Sequence, residues 1–226
     1  MQHALSGKRI LVTQAAEFMG PALCEVLAEQ GAQVVRSEHA LSAPGSAEDV
    51  VREAGELDAV VANLAMQAPG TAAAEVGEQE WREVFAALVD PLPGLVRAAV
   101  PMMSRRGGGK ILVIGSAAAL RGMKRASTYS AARGAQLAWV QAVGVELAPL
   151  KIQVNALAQN FVDNPTYFPP QVQALPRFQE RLAREVPLGR LVSAREDAMF
   201  AAYLCSSAAD CFVGQVFPVC GGWVAR

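Results

Sequence analysis

The 226-residue sequence has few of the side chains that bind metals or form disulfides. It contains two histidines and four cysteines, and no two cysteines stand in a Cys-x-x-Cys pair. Zinc and redox sites depend on such clustered ligands. We therefore expect no metal site, and we expect the cysteines to be reduced structural residues.

The sequence also has almost no surplus of charge. Its 20 Lys and Arg residues against 21 Asp and Glu residues give a formal net charge of −1, and the longest basic cluster is Arg105-Arg106, followed by three glycines and a lysine. Proteins that bind the phosphate backbone of nucleic acids concentrate Lys and Arg on one surface. A nucleic-acid partner is therefore not expected.

Long uninterrupted apolar runs are missing as well. Although 52% of the residues are hydrophobic, no run approaches the ~20 apolar residues of a membrane-spanning helix. The N-terminal residues do not follow the pattern of a secretory signal, in which a basic region precedes an apolar segment. These observations favour a cytoplasmic enzyme with no membrane partner.

Apolar segments of two kinds alternate along the chain. Short runs rich in Val and Ile are typical of buried parallel strands, and stretches with helical spacing of apolar residues separate them. The runs lie at residues 9–12, 33–35, 59–62, 111–114, 152–156 and 216–219. The pattern predicts an α/β fold with a doubly wound parallel sheet, as a single domain over residues 1–226. In such folds ligands bind beyond the carboxyl ends of the strands.

Two later segments have unusual compositions. Residues 128–148 are dense in small side chains and predict a helix that packs closely against its sheet, or against a second subunit as well. Residues 159–176 contain four prolines with aromatic residues between them. This composition argues against regular structure and predicts a shaped loop over the ligand site.

Three polar residues carry the candidate chemistry. Ser116 follows the fourth predicted strand, Tyr129 lies thirteen positions later, and Arg133 is one helical turn beyond Tyr129. Residues four apart on a helix share a face, so the guanidinium would lower the pKa of the phenol and make Tyr129 a usable base. Ser116 would hold the same substrate oxygen for proton transfer. The spacing alone is also compatible with a capped turn and a structural arginine.

The chain resembles the short-chain dehydrogenase/reductase superfamily over essentially its whole length. Besides the serine and the tyrosine, Asn63-Leu64-Ala65 and Gly221-Gly222 stand where that family has its Asn-Ala-Gly and Gly-Gly motifs. The resemblance implies a Rossmann-like fold. Family members use Tyr-x3-Lys, in which the lysine holds the nicotinamide ribose, whereas position 133 is arginine here.

The turn after the first strand departs further from that family. Members that bind NAD(P) carry Thr-Gly-x3-Gly-x-Gly, whose glycines let the backbone approach the pyrophosphate. In this chain Gln14 and Phe18 replace the first two glycines, and Gly20 alone remains. A benzyl group at position 18 would occupy dinucleotide volume, so we expect no cofactor. The alternative is a displaced turn that takes Phe18 into the core.

The altered turn, combined with Ser-Tyr-Arg, is similar to the halohydrin dehalogenases, a cofactor-free branch of the superfamily. The resemblance implies a halide pocket formed by an aromatic residue of the turn and by an aromatic-rich loop. The matching positions are Phe18, Gln159, Asn160, Phe161, Val162, Tyr167 and Phe168. Backbone N–H groups and the positive edges of aromatic rings suit a halide, although such residues also form ordinary hydrophobic lids.

The resemblance also implies the reaction. Tyr129 would remove the hydroxyl proton of a vicinal halohydrin, and the alkoxide would displace the neighbouring halide to close an epoxide. The reverse reaction, opening of epoxides by small anions such as azide, cyanide and nitrite, is implied as well. Candidates for the substrate pocket are Met66, Ala118 and Met123, and a homotetramer is expected because the family is commonly tetrameric.

Two other interpretations stay open. An NAD(P)-dependent oxidoreductase with an atypical turn is favoured by the fold and by Arg36, which ends the second strand and could contact a 2′-phosphate. A catalytically silent binding module would leave Ser116, Tyr129 and Arg133 without a role, which makes it the weakest of the three.

Overall fold

The computed structural model describes residues 3–225, and within them six strands form one parallel sheet. The strands are β1 (Arg9–Val12), β2 (Gln33–Arg36), β3 (Ala59–Asn63), β4 (Gly109–Ser116), β5 (Ile152–Gln159) and β6 (Val216–Val219). Their order in the sheet is β2-β1-β3-β4-β5-β6, and every pairing is parallel. The predicted doubly wound α/β fold is therefore confirmed.

Helices cover both faces of the sheet. They are α1 (Gly20–Glu29), α2 (Ser46–Ala54), α3 (Glu78–Leu88), α4 (Pro91–Arg105), α5 (Ser127–Leu147), α6 (Pro170–Gln173), α7 (Pro176–Glu185) and α8 (Ala194–Leu204). Side chains alternate across the strands: on β3, Val60 and Ala62 join the core beneath α2–α5, whereas Ala59 and Val61 join the core beneath α1 and α8. Both faces of β3 are buried, which explains its continuous apolar run.

The order of the strands positions the ligand site. The chain runs from β1 outward to β2 and then returns to place β3 on the other side of β1. This reversal opens a crevice at the carboxyl ends of β1 and β3. The crevice lies between the turn that follows Val12 and the segment that follows Asn63.

One stretch of the described chain, residues 78–105, is long and apolar enough to cross a membrane by length and composition alone. In the fold it forms two helices, because α3 ends at Leu88 and α4 begins at Pro91. Its apolar residues Val84, Leu88 and Leu92 are buried in the core beneath α2–α5. The stretch therefore contributes helices to the core of the sheet domain.

The segment 159–176 is only partly irregular. β5 continues to Gln159, one helical turn forms at α6, and α7 begins at Pro176. The expectation that the prolines prevent regular structure was wrong for Pro170 and Pro176. Both open a helix, where the missing N–H of proline costs no intrahelical hydrogen bond.

The predicted helix over residues 128–148 is present as α5, which begins at Ser127 and ends at Leu147. Its buried residues include Gly144, and a Cβ there would lie 2.6 Å from the Gly214 backbone. This position explains why a small residue is needed on the side of α5 that faces the fold. The expected interface with a second subunit stays a prediction.

Candidate active site

A cavity of about 310 Å³ opens beyond the carboxyl ends of β3, β4 and β5. Ser116, Tyr129 and Arg133 all line it. The other predicted residues on its wall are Phe18, Ala118, Met123, Gln159, Asn160, Phe161, Val162, Tyr167 and Phe168. Residues as far apart in the sequence as Phe18 and Phe168, 150 positions, thus meet around one space.

Met66 is the exception among the predicted pocket residues. It is not among the residues that line the cavity, and its half-buried side chain packs against the core beneath α2–α5. Its backbone carbonyl instead accepts a hydrogen bond of 3.0 Å from the Tyr167 hydroxyl. The structure thus brings the Met66 backbone to the site through Tyr167, and a role for its side chain in the substrate pocket stays a prediction.

Tyr129 is a buried phenol held among hydrogen-bonding groups. Its hydroxyl interacts with Ser116, Arg133 and Tyr167, and the Arg133 guanidinium carbon lies 5.0 Å from the centroid of its ring. Burial would raise the pKa of Tyr129, but the Arg133 charge, together with the neighbouring polar groups of Tyr167, Arg133 and Ser116, outweighs burial and lowers that pKa below its usual value of 10. Tyr129 therefore loses its proton at a lower pH than an ordinary tyrosine does.

Arg133 owes its strong effect to burial without an acidic partner. Its Nη1 donates to the Ile114 carbonyl at 3.0 Å and to Gln136 Oε1 at 2.9 Å, and Gln136 in turn donates to the Leu88 carbonyl. Within residues 3–225, no carboxylate pairs with Arg133, and its Nε has no acceptor. Because a buried cation without a counter-ion is costly, the Tyr129 phenolate is the anion that this site favours.

Ser116 is oriented by the end of β4. Its Oγ accepts a hydrogen bond of 3.1 Å from the Ala118 N–H, which begins the short turn after the strand. The hydroxyl proton therefore stays available to donate to another oxygen. Ser116 can accordingly hold a substrate oxygen next to Tyr129.

Tyr167 connects the 159–176 segment to the segment after β3. Its hydroxyl accepts from the Ala68 N–H at 3.1 Å and donates to the Met66 carbonyl at 3.0 Å. Burial and the neighbouring Tyr129 both raise the pKa of Tyr167. Of the two phenols, Tyr129 is therefore the one that ionises, and Tyr167 remains a neutral hydrogen-bonding group.

The turn after β1 keeps a glycine-like backbone at both altered positions. Gln14 has φ +44° and Phe18 has φ +47°. This left-handed conformation costs residues other than glycine roughly 1 kcal/mol. Gly20 remains because a Cβ there would lie 2.5 Å from the Ala15 carbonyl oxygen. Close backbone approach at Gly20 therefore explains why this one glycine is retained.

Side chains from β3 and from the turn itself hold this conformation. The Asn63 Nδ2 donates to the carbonyls of Gln14 and Glu17, both at 3.0 Å, and Gln14 Oε1 accepts from the Ala65 N–H at 2.6 Å. These bonds direct the half-buried Phe18 side chain onto the cavity wall. The alternative interpretation of the sequence required the turn to carry Phe18 into the core. The structure instead places Phe18 on the cavity wall.

Aromatic rings form the outer wall of the cavity. The Phe161 ring is 1% exposed and lies 5.9 Å from the Phe168 ring, and the Phe18 ring lies 5.3 Å from the Tyr167 ring. The backbone at Phe161 has φ +51°. Strained residues of this kind often occur at functional sites, where the surrounding contacts compensate for the strain.

Backbone donors in this wall are mostly occupied. The N–H groups of Asn160, Phe161 and Asp163 donate to Val219 O, to Asn160 Oδ1 and to Val192 O respectively. Within residues 3–225, the Val162 N–H has no such acceptor. Because Val162 lies on the cavity wall, its N–H is one donor that an anion could use.

Gln159 is held by a carboxyl group that the sequence did not single out. Its Nε2 donates to Asp197 Oδ2 at 2.6 Å, and Asp197 Oδ1 has no hydrogen-bond partner within the described residues. Asp197 belongs to α8 and is fully buried. Burial, only partly offset by the Gln159 hydrogen bond, raises the pKa of Asp197 to about 7.

This raised pKa predicts how the stability of the protein depends on pH. The unfolded carboxyl ionises near its ordinary pKa of 3.8, whereas the folded one ionises near 7, so the folded state binds more protons between those values. The wild type should therefore lose stability relative to Asp197→Asn as the pH rises from about 4 to about 7. Urea unfolding at four pH values measures this difference, and a difference that does not change with pH would contradict it.

Sequence reasoning missed three residues of this site. Gln136, which anchors Arg133, stands three positions after it, and this spacing on one helix face was a usable signal. Asp197 and Arg181 also contact or line the site, but they lie on α8 and α7. Only the packing of those helices brings them to the cavity, so no local pattern indicated them.

Comparisons with known proteins identify the family. A family model described as enoyl-(acyl carrier protein) reductase matches residues 4–224. Cis-4-hydroxycyclohexanecarboxylate dehydrogenase of Sinomonas cyclohexanicum is 30% identical over the full length of both chains. A solved structure of a dehalogenation enzyme superposes with a TM-score of 0.91 at 29% identity, covering 98% of this chain and 100% of that one.

A second solved structure shares the fold. L-sorbose reductase from Gluconobacter frateurii, complexed with NADPH and L-sorbose, superposes with a TM-score of 0.91 at 22% identity, covering 100% of both chains. The family match over residues 4–224 includes Asn63, Ser116 and Tyr129. The chain therefore belongs to the short-chain dehydrogenase/reductase superfamily of enzymes.

Proposed function

We propose that this protein is a cofactor-independent halohydrin dehalogenase, which converts vicinal halohydrins to epoxides and releases halide and a proton. The observation that carries the proposal is Phe18, held by a strained backbone on the wall of the cavity that contains Tyr129. The similarity to a dehalogenation enzyme at 29% identity supports the same reaction.

The residues present do not fit the dinucleotide that many superfamily members bind. Glycines at positions 14 and 18 would leave the turn open for a pyrophosphate, but here the Gln14 side chain bonds to Ala65 and the Phe18 ring packs beside Tyr167. Arg133, in place of the family's lysine, is buried and bonded to Ile114 and Gln136. We therefore assign no step of the reaction to a nicotinamide.

The proposed reaction begins with proton transfer to Tyr129. The phenolate, favoured by the buried Arg133, takes the proton of the substrate hydroxyl while the Ser116 hydroxyl donates to the same oxygen. The oxygen then attacks the neighbouring carbon from the side opposite the halogen, the C–O bond forms, and the halide leaves with the electron pair of the C–X bond. Both reacting atoms belong to one substrate, so positioning contributes much of the acceleration.

The opposite wall of the cavity suits the departing halide. The Val162 N–H can donate to the halide, and the edges of the Phe18 and Phe168 rings carry positive partial charge. Arg181, which also lines the cavity, carries a full positive charge and stacks on Phe161. Weak fixed donors allow the halide to leave, and they also allow azide, cyanide or nitrite to enter and open an epoxide in the reverse direction.

The proposal predicts halide release without any nicotinamide. Purified protein incubated with a vicinal bromohydrin should release bromide and a proton and form the epoxide at a rate that added NAD(P) does not change. With the epoxide and azide, it should form the azido-alcohol. Ion chromatography and gas chromatography measure the products. Failure to release halide from any of several chloro- and bromohydrins would contradict the proposal.

A nicotinamide-dependent oxidoreductase is the second candidate. The 30% identical relative is a dehydrogenase, and the exposed Arg36 at the end of β2 lies where a 2′-phosphate could be contacted. This candidate predicts saturable binding of NADPH by calorimetry. NADPH binding together with absent halide release would favour it over dehalogenation.

A further inference from the structure

The cavity wall carries a cation that the proposed reaction does not use. Arg181 on α7 lines the same cavity as Tyr129, and its guanidinium carbon lies 5.1 Å from the centroid of the buried Phe161 ring. Stacking on an aromatic ring orients a guanidinium and leaves its edge, with the N–H donors, free for another group. Arg181 is therefore positioned as part of the binding wall.

The donors of Arg181 are only partly used. Its Nε donates to Glu185 Oε2 at 3.3 Å, which is long for a hydrogen bond of this type. Glu185 also accepts from Arg184 Nη2 at 2.8 Å, so one carboxylate is shared by two arginines. Within residues 3–225, the two terminal nitrogens of Arg181 have no acceptor. Their N–H groups are thus available to a ligand.

The entrance beside Arg181 is positively charged. A shallower hollow adjoins the cavity and shares Val172, Phe178 and Arg181 with it, and Arg177 and Arg184 border the same hollow. The acidic residues of α7 are Glu180 and Glu185, against three arginines. A cleft with one sign of charge in excess attracts ligands of the opposite sign.

We propose that the substrate carries a carboxylate that Arg181 binds, so that the protein acts on halogenated hydroxy acids and the corresponding epoxy acids. The inference rests on the proposed dehalogenation and names the substrate class of that same site. A planar guanidinium with free terminal donors matches a carboxylate, which it can bind through two parallel hydrogen bonds. The apolar side chains of Phe161, Val172 and Phe178 lie near Arg181 on the wall and suit a hydrocarbon segment that separates the carboxylate from the reacting carbons.

The chemistry at the reacting carbons is unchanged by this assignment. The hydroxyl proton passes to Tyr129, the new C–O bond forms as the C–X bond breaks, and the halide leaves with the electron pair. The carboxylate takes no part in bond making. Its role is to bind at one end of the substrate, so that the halohydrin at the other end lies against Tyr129 and Ser116.

The test compares acids with their neutral amides. The substrates are 4-chloro-3-hydroxybutanoate and 6-chloro-5-hydroxyhexanoate, each with its primary amide, and the readout is kcat/KM from chloride release. We expect the wild type to prefer at least one acid over its amide by about 10- to 100-fold, the value of a charge-assisted hydrogen-bond pair. The variant Arg181→Gln should lose this preference through KM. The matched control Arg195→Gln removes an exposed arginine that pairs with Glu29 and lines neither the cavity nor the adjoining hollow, and it should keep the preference.

A binding measurement separates this inference from the dehalogenase proposal. Calorimetry with 5-hydroxyhexanoate and 5-hydroxyhexanamide, which cannot lose halide, should show tighter binding of the acid to the wild type and no such difference in Arg181→Gln. Equal binding of acid and amide by the wild type would overturn the inference, whether or not halide is released. An equal loss of both amide and acid turnover in Arg181→Gln would also overturn it, because the arginine would then be structural. If the wild type binds the acid more tightly but releases no chloride, the carboxylate site is supported and the proposed dehalogenation is overturned.

Discussion

The variant Tyr129→Phe is expected to release halide from a vicinal bromohydrin about 10²- to 10⁴-fold more slowly than the wild type, because a positioned base contributes an acceleration of that size. The loss should appear in kcat more than in KM, since proton transfer takes place in the transition state. The substitution removes one oxygen and leaves the ring, which packs in the core beneath α2–α5. Initial rates of bromide release from pH 6 to pH 10 measure the effect.

A matched control separates the base from a general effect on folding. Tyr203 lies on α8, and its hydroxyl donates to the Ala208 carbonyl at 3.2 Å, away from the residues that line the cavity. The variant Tyr203→Phe should therefore keep the wild-type rate. Circular dichroism and thermal unfolding should show both variants folded. An undiminished rate in Tyr129→Phe would mean that another group takes the proton.

The variant Arg133→Met is expected to shift the acidic side of the rate–pH profile to higher pH. Burial raises the pKa of Tyr129 and the Arg133 charge lowers it, so removing the charge leaves burial to dominate. A neighbouring charge typically moves a pKa by 1 to 3 units, and each unit changes the phenolate fraction tenfold. Halide release at pH 7 should therefore fall by about 10- to 10³-fold.

The dependence on pH distinguishes this effect from a lost contact. If Arg133 acts through the pKa of Tyr129, the rate of Arg133→Met should approach the wild-type rate only as the pH rises above the usual phenol pKa of 10, because burial then raises the pKa of Tyr129. The variant Arg133→Lys retains the charge but not the guanidinium that bonds to Ile114 and Gln136, so its shift should be smaller. An unchanged acidic limb in Arg133→Met would contradict the assigned role.

The sequence predicted the centre of the sheet well because strands β1, β3, β4 and β5 are buried on both faces. Every residue of β3 is buried, so its apolar run was unbroken and easy to recognise. The ends were less certain: β4 and β5 each extend beyond their apolar runs to Ser116 and Gln159. Polar residues at the carboxyl ends of these strands face the ligand crevice. Because they are not apolar, the hydrophobic pattern does not show that the strand continues through them.

Parts of the site were predictable for a different reason. Tyr129 and Arg133 share a face of α5 through local spacing, and a local rule is enough to bring them together. Tyr167 meets the Met66 carbonyl across 101 positions of sequence, and no local rule connects the two. The same limit applies to Met66, since residue type indicated a side-chain role and could not indicate the backbone contact with Tyr167.

The glycine-like backbone at Gln14 and Phe18 has a consequence for how many substitutions would change the character of this turn. A turn that had refolded around new residues could be converted back only by many coordinated changes. Here the left-handed φ angles are kept by Asn63 and by the chain around the turn, so a glycine at either position would find a backbone already suited to it. The main chain of this turn therefore already has the conformation that glycine favours, so replacing the side chains at positions 14 and 18 would change what fills the turn without requiring a new backbone.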